Sequence, residues 1–240
     1  MKPIKILSLD STAIVATVAV TEDEKLLAQY DANNGNTHSE TLLPMIERML
    51  SSLSLTVNDI DVFACSAGPG SFTGVRIGSA TIKGLAFASG KPCIGVSTLE
   101  ALAFNMRDTD GIICPVMNAR RDQLYCAVFK AAKGTIERLT PDMAISVSEF
   151  DEMLSSYSCP IYAVGDGYEY AVRGFVKTKL SETPKEKRNQ SAYSVAMSAL
   201  KLYKAGDRTS DKDVAPTYLR LSQAERERNE RLARSATPKI

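Results

Sequence analysis

The chain has no tryptophan and a single histidine, His38, in 240 residues. One imidazole cannot make a two-histidine metal site, and no cysteine or Gly-x-Ser-x-Gly elbow lies near it to form a hydrolase triad. The five cysteines, at 65, 93, 114, 126 and 159, are odd in number, and no two stand at C-x-x-C spacing. Four lie in apolar runs and Cys159 adjoins Pro160, so they read as buried thiols of a reducing compartment, not as disulfides or zinc ligands. Charge of one sign is also missing. With 29 basic and 28 acidic residues the net charge is +1, which does not demand nucleic acid as a direct partner. Carboxylate pairs fall mostly on helix surfaces and give a glycosidase reading no anchor. No run of eighteen apolar residues occurs, and Met1–Ile6 enters a strand pattern without an apolar leader. A cytoplasmic protein with no membrane association is expected.

What is present centres on residues 66–78, SAGPGSFTGVRIG. Four glycines and a proline follow an apolar strand pattern and lead into a long apolar helix, a place where backbone turns sharply and something packs close. No Gly-Lys-Ser/Thr follows, and glycines at 68, 70, 74 and 78 do not fit G-x-G-x-x-G, so this is neither a Walker loop nor a dinucleotide fingerprint. At 44% hydrophobic residues the chain can build a core in one large or two small domains.

Strands are predicted at 4–10, 14–20, 25–30, 93–96, 112–117, 123–130, 135–139 and 161–164. His38–Leu53 is predicted as a helix whose apolar residues, Leu42 to Leu53, cover an arc of about 160°. Pro44 fits if that helix starts near Ser39–Thr41 or kinks. Ser71–Ser89 is predicted as a second helix, apolar or small nearly all round, in which Gly74, Gly78, Ser79 and Ala80 admit a close neighbour. Capping boxes at Ser97–Glu100 and Ser146–Glu149 open two more helices, and Ser191–Lys204 forms another, ended by Gly206. Ser181–Arg188 reads as a charged linker and Glu225–Arg234 as a solvated charged helix with i,i+4 pairs. Each half opens with strands and continues with helices, which points to two related α/β domains.

Several segments resemble the TsaB family: ILSLD at 6–10, HSETLLP at 38–44, SAGPGSFTGVRIG at 66–78, GLAFASGKPCIGVSTLEALA at 84–103, NARRDQLY at 118–125, GDG at 165–167 and PTYLR at 216–220. The resemblance implies an α/β fold of two actin-like (ASKHA, ribonuclease H-like) domains with mixed sheets flanked by helices. The expected division is an N-terminal domain over 1–106 and a smaller one over 107–206, with 207–240 packing back on the first. It implies a non-catalytic part in forming threonylcarbamoyladenosine beside the tRNA anticodon. The implied partners are the catalytic paralogue TsaD, as a heterodimer, and TsaE, in a nucleotide-dependent ternary complex. ATP and metal would belong to those partners, the chain would need no cofactor of its own, and tRNA would be met indirectly. Without TsaD the same surface would make a homodimer. The alternative is a self-sufficient actin-like ATPase or metalloprotease-like enzyme.

Residue by residue, the paralogue's metal-binding histidines fall on Ser97, Thr98 and Leu102, which are poor or impossible ligands for a transition metal. Asp10 keeps the acidic position of the first phosphate hairpin, but no glycine follows it. Asn118 stands where relatives carry aspartate, a weaker partner for a hard cation. Asp10, Asn118, Gly165 and Gly167 are therefore expected to be vestiges of a nucleotide site. Leu42, Met45, Ile46, Met49, Arg76 and Lys83 are expected to face outward from two adjacent helices as the partner surface.

Overall fold

The protein is described here from a computed structural model covering residues 2–33, 35 and 37–220. The first half runs β1 (Lys5–Asp10), β2 (Ala16–Glu22), β3 (Lys25–Ala32), α1 (His38–Ser52), β4 (Val62–Ser66), α2 (Phe72–Ser89), β5 (Cys93–Val96) and α3 (Thr98–Phe104). Its sheet has the order β3-β2-β1-β4-β5, with β2 antiparallel to β1 and β3, and β4 parallel to β1 and β5. The second half runs β6 (Gly111–Asn118), β7 (Gln123–Cys126), β8 (Phe129–Ala132), β9 (Thr135–Arg138), β10 (Met143–Ser146), α4 (Val147–Leu154), β11 (Ile161–Val164), α5 (Tyr168–Gly174) and α6 (Ala192–Lys204).

In the second half β6 takes the place of β1. It is antiparallel to β8 along its first residues and to β7 along its last, while β11 runs parallel beside it. With β9 and β10 outermost beyond β8 and β7, this arrangement matches β3-β2-β1-β4 of the first sheet, and a single Tyr162–Ser181 bridge stands where β5 would be. Two copies of this mixed-sheet arrangement make the actin-like, ribonuclease H-like α/β fold. Gln123–Lys130, expected as one strand, is two: Val128 turns aside to receive the N–H groups of Leu139 and Thr140 and to donate to the Thr140 hydroxyl, which interrupts the ladder. β10 and α5 were not anticipated. Four residues and a seven-residue helix are too short to show a period.

Because side chains alternate along a strand, β1 sends Leu7 and Leu9 to one face and Ile6 to the other. α1 and α2 cover the first face, joining Leu42, Ile46, Met49 and Ile82 to Val18, Val20 and Phe63. α6 covers the second, packing Val195, Ala196 and Ala199 on Val62, Ala64 and Ile94. The helix at 192–204 thus sits with the first sheet, although its sequence follows the second, and the 107–206 unit expected from sequence ends before it. Residues 207–218 also return to the first half: Val214 is buried in its core and Thr209 bonds to Cys93 in both directions. Residues 221–240, with the expected charged helix, lie outside the described residues.

The helix ends follow the expected chemistry. Ser71 Oγ accepts Gly74 N–H at the start of α2, and Gly90 closes the helix in a left-handed conformation. Ser146 and Glu149 form the full capping box of α4. At α3 only half the expected box forms, because Glu100 reaches Arg138 and Lys201 instead of the Ser97 N–H. α1 starts at His38 and carries Pro44 in its second turn, on the exposed side.

One buried carboxylate organises the outer part of the second half. Asp151, on α4, accepts the N–H groups of Val176, Lys177 and Thr178 at 2.8–2.9 Å. Burial acts to raise its pKa, but these bonds outweigh burial and hold it below the ordinary aspartate value. Asp151→Ala leaves three donors without their acceptor and should cost about 2–4 kcal/mol in denaturant unfolding. Since the folded-state pKa is depressed, this contribution is complete above the ordinary aspartate pKa and disappears as pH falls through the folded value. The variant should therefore flatten the acid limb of the stability–pH curve.

Candidate functional site

The glycine-rich loop and the β1–β2 turn are pressed together. A Cβ on Gly74 would overlap the Ser11 carbonyl oxygen, one on Gly70 would lie 2.7 Å from the Thr12 oxygen, and one on Gly78 would run into the Ser11 hydroxyl. Ser71 N–H donates to Thr12 O at 2.8 Å, and Ser11 Oγ donates to Gly74 O at 2.8 Å. Gly74 and Gly78 therefore face inward, against the turn, and Ser79 is buried beside Cys65; of the four small residues expected to admit a neighbouring helix, Ala80 alone is exposed. These glycines do not cradle an anion. They let the α2 N-terminus seat on the protein's own backbone.

Asp10 is buried beneath this contact and both its oxygens are engaged. Oδ1 accepts the Thr12 N–H and hydroxyl, each at 2.7 Å, and Oδ2 accepts the Ser66 hydroxyl at 2.5 Å. Burial pushes its pKa up against the opposing pull of these donors. A cation or phosphate bound here needs an accessible carboxylate and free amides, and this turn offers neither. Asn118 is spent similarly: its Oδ1 accepts the Arg120 N–H at 2.8 Å. The residues present do not fit a bound metal ion.

A cleft of about 590 Å³ lies above this turn, between the halves. Thr12, Ile14, Ser71 and Phe72 form one wall, Asn118, Arg120 and Asp166 the other, and Arg220 reaches in from the C-terminal segment. Arg120, Arg121 and Asp122 all have positive φ, three consecutive left-handed residues without a glycine. Asp166 lies on the wall, open to solvent on one side and enclosed by protein on the other. Desolvation chiefly, with the Asp10 charge adding, pushes its pKa up to about 6 despite the Asn118 N–H it accepts. Gly165 and Gly167 are there for backbone clearance, since a Cβ on either would strike the Val116 peptide.

Other residues singled out by sequence have structural partners. His38 Nε2 lies 2.8 Å from the Ala13 carbonyl and donates to it. Ser97 Oγ donates to Asp142, Thr98 is buried, and Leu102 is core. Cys65, Cys93, Cys114 and Cys126 are buried, and Cys159 is exposed. Burial holds the Cys65, Cys93 and Cys126 thiols near about 12. Among the described residues no group of three or more His, Cys, Asp or Glu side chains is placed to hold a metal ion, and no helix is long and apolar enough to cross a membrane. A second cavity, of about 570 Å³, opens between α4 and α5 beside Val147, Tyr170 and Arg173. Its Ser146 hydroxyl already caps α4.

The family model described as TsaD, tRNA N6-adenosine threonylcarbamoyltransferase, matches residues 26–228. A Bacillus subtilis relative named tRNA threonylcarbamoyladenosine biosynthesis protein TsaB is 28% identical over 229 residues, 92% of this chain and 96% of its own. The Escherichia coli protein of the same name is 30% identical over 168 residues, covering 69% of this chain and 72% of that one. The chain belongs to the TsaB family. A solved Pseudomonas aeruginosa structure, described as an uncharacterized protein with similarity to peptidase YeaZ, has the same fold. Its TM-score is 0.75 at 23% identity, covering 90% of this chain and all of that one.

In this TsaB-family chain the outer surface of α1 and α2 differs from the one expected. Leu42, Ile46 and Met49 are core residues, and Met45 is half-buried against the same core. The wide apolar arc of α1 is consumed by two neighbours, the sheet beneath and α2 beside it. Lys83 Nζ donates to Val214 O at 3.0 Å, and Arg76 Nε donates to Tyr218 Oη at 2.7 Å, so both basic residues hold the C-terminal segment. The large apolar side chains that do point outward from these helices are Leu43, 53% exposed, and Phe87, 74% exposed. Sequence period identified the arc but not how much of it the chain would use itself.

Asp166 supplies a direct test of the cleft. Carboxyl NMR should place its midpoint near 6, and Asn118→Asp, which adds a like charge beside it, should move it higher. Because the folded-state pKa of Asp166 is raised, its own contribution to stability is complete below the ordinary aspartate pKa and is lost as pH rises through about 6. Asp166→Asn should remove that loss.

Proposed function

We propose that this chain is a non-catalytic subunit in the formation of threonylcarbamoyladenosine on tRNA, the process for which its relatives are named. The observation that carries this reading is the satisfaction of Asp10. Its two oxygens accept three hydrogen bonds from Thr12 and Ser66 beneath a turn sealed by the α2 N-terminus. An acidic group held this way orders its own loop and, being buried, is not presented to a cation in the cleft. The chain then acts by shaping a neighbour. That neighbour is the transferase paralogue TsaD. TsaE joins the pair in a nucleotide-dependent way, ATP and metal are held by the partners, and tRNA is reached through them.

The docking surface in this reading is the outer face of α1 and α2, with Leu43 and Phe87 as apolar anchors. Gly84 supports it. This residue sits in the interior of α2, exposed, and a Cβ there would meet nothing within 4 Å. Glycine in a helix interior costs about 1 kcal/mol relative to alanine, and no contact among the described residues requires it. A helix of another molecule lying close across α2 would require it.

Two measurements test the proposal. Phe87→Asp and Leu43→Asp should leave the far-ultraviolet circular dichroism and Tm unchanged and abolish co-purification with TsaD. Met49→Asp, which puts a carboxylate into the core, should unfold the chain instead. Retained pairing in a folded Phe87→Asp, Leu43→Asp double variant would refute this surface. Gly84→Ala should raise Tm by about 2–4 °C, as a gain near 1 kcal/mol does in a domain of this size, while weakening TsaD binding. A gain in stability with undiminished binding would rule out close helix approach there.

A further inference from the structure

The C-terminal segment does more than pack against the first half. From Thr209 it runs along β5, buries Val214 beside Gly95, receives Lys83 on the Val214 carbonyl, and donates Thr217 N–H to Ala67 O at 2.7 Å. Gly68 is bare because Thr217 lies on it: a Cβ at Gly68 would come within 2.5 Å of the Thr217 oxygen. Tyr218 then stacks on Phe72 with ring centroids 4.5 Å apart and planes 8° from parallel, while Arg76 bonds its hydroxyl. Over the next two residues the segment changes sides. Leu219 packs into the core of the second half, and Arg220 donates to the carbonyls of Ala119 and Arg120.

Those two carbonyls belong to the left-handed turn. Three consecutive non-glycine residues of positive φ are unfavourable by roughly 1–2 kcal/mol each and persist only where surroundings hold them. Within the second half the turn is held by Asn118 Oδ1 on the Arg120 N–H, by the Ala119 N–H on the Gln123 carbonyl and the Gln123 N–H on the Arg120 carbonyl, and by the Val147 N–H on the Asp122 carbonyl; Arg220 adds its two bonds. Among the described residues only Arg220 comes from outside the second half.

We propose that residues 214–220 are a strap that couples the N-terminal end of α2 to the strained turn at 119–122, so that the seating of Tyr218 on Phe72 and Arg76 sets the order of the far wall of the cleft. The physical basis is mechanical. Tyr218 and Arg220 are two residues apart, one clamped to each half, and the linking residue Leu219 is itself packed. Releasing the tyrosine removes the anchor from which the arginine reaches. Arg76 lies on α2, so a molecule docked on the α1–α2 face would sense or alter this seating. That last connection alone rests on the reading given under Proposed function.

The test uses the full chain without any partner, so its outcome is independent of whether TsaD docks. Amide hydrogen exchange of 119–123 is followed in Tyr218→Ala, Tyr218→Phe and Arg220→Ala. Arg220→Ala should speed exchange there by about tenfold or more. Tyr218→Ala should do the same, although Tyr218 bonds to nothing in the second half, and Tyr218→Phe, which keeps the stack, should give a smaller increase. If Tyr218→Ala speeds exchange in 71–77 only and leaves 119–123 at the parent rate, the coupling does not exist. Should Tyr218→Ala fail to fold, the Phe variant decides: parent exchange at 119–123 alongside faster exchange near Arg76 overturns the proposal.

Discussion

The structure depends on one close approach, that of the glycine loop after β4 to the turn after β1. Removing three Cβ atoms, at 70, 74 and 78, lets the α2 N-terminus rest on the peptides of Ser11 and Thr12. This contact fixes the α2 axis on the sheet, closes over Asp10 and forms the floor of the cleft. In a nucleotide-handling relative of this fold the same floor must stay open, with amides pointing into solvent. Here backbone packs on backbone, and the amide of Thr12 turns inward to the carboxylate beneath it. The contact is a rigid joint between the two turns.

That joint explains the acidic residue beneath it. Asp10 accepts three hydrogen bonds in a site where water is excluded, and each donor would be orphaned without it. Buried polar groups of this kind are costly to leave half-satisfied, so the carboxylate holds its place for structural reasons. Asn118 takes the matching position in the second half and likewise closes its own turn. Asp10 turns to Thr12 and Ser66, and Asn118 to the Arg120 backbone.

Much of this was legible in the sequence, and the failures have physical causes. The elements with strong periods or clean caps appear where expected, α1, α2 and β5 among them, because local preference and tertiary packing agree there. The lone histidine is read from composition, whereas the missing hairpin glycine and Ser97, Thr98 and Leu102 carry meaning only through the family resemblance. The orientation of α1 was misread, since a helix wedged between a sheet and a second helix needs as wide an apolar arc as one facing a partner. Met49 and Leu42 satisfy either demand. The return of 192–204 to the first sheet was not legible, because chain order says nothing of a crossover back. Nor were Tyr218 and Arg220, in PTYLR, recognisable as clamps, for their partners lie some 100 to 146 positions earlier in the chain.

The bond between Thr209 and Cys93 has a further meaning. β5 is the outermost strand on its side of the first sheet, and a bare edge is a template on which another chain can add a strand. Thr209 takes up the Cys93 N–H and carbonyl. The tail therefore acts as a guard against edge-to-edge polymerisation, and fragments cut short of residue 207 lose that protection even when every helix and strand of the fold is intact.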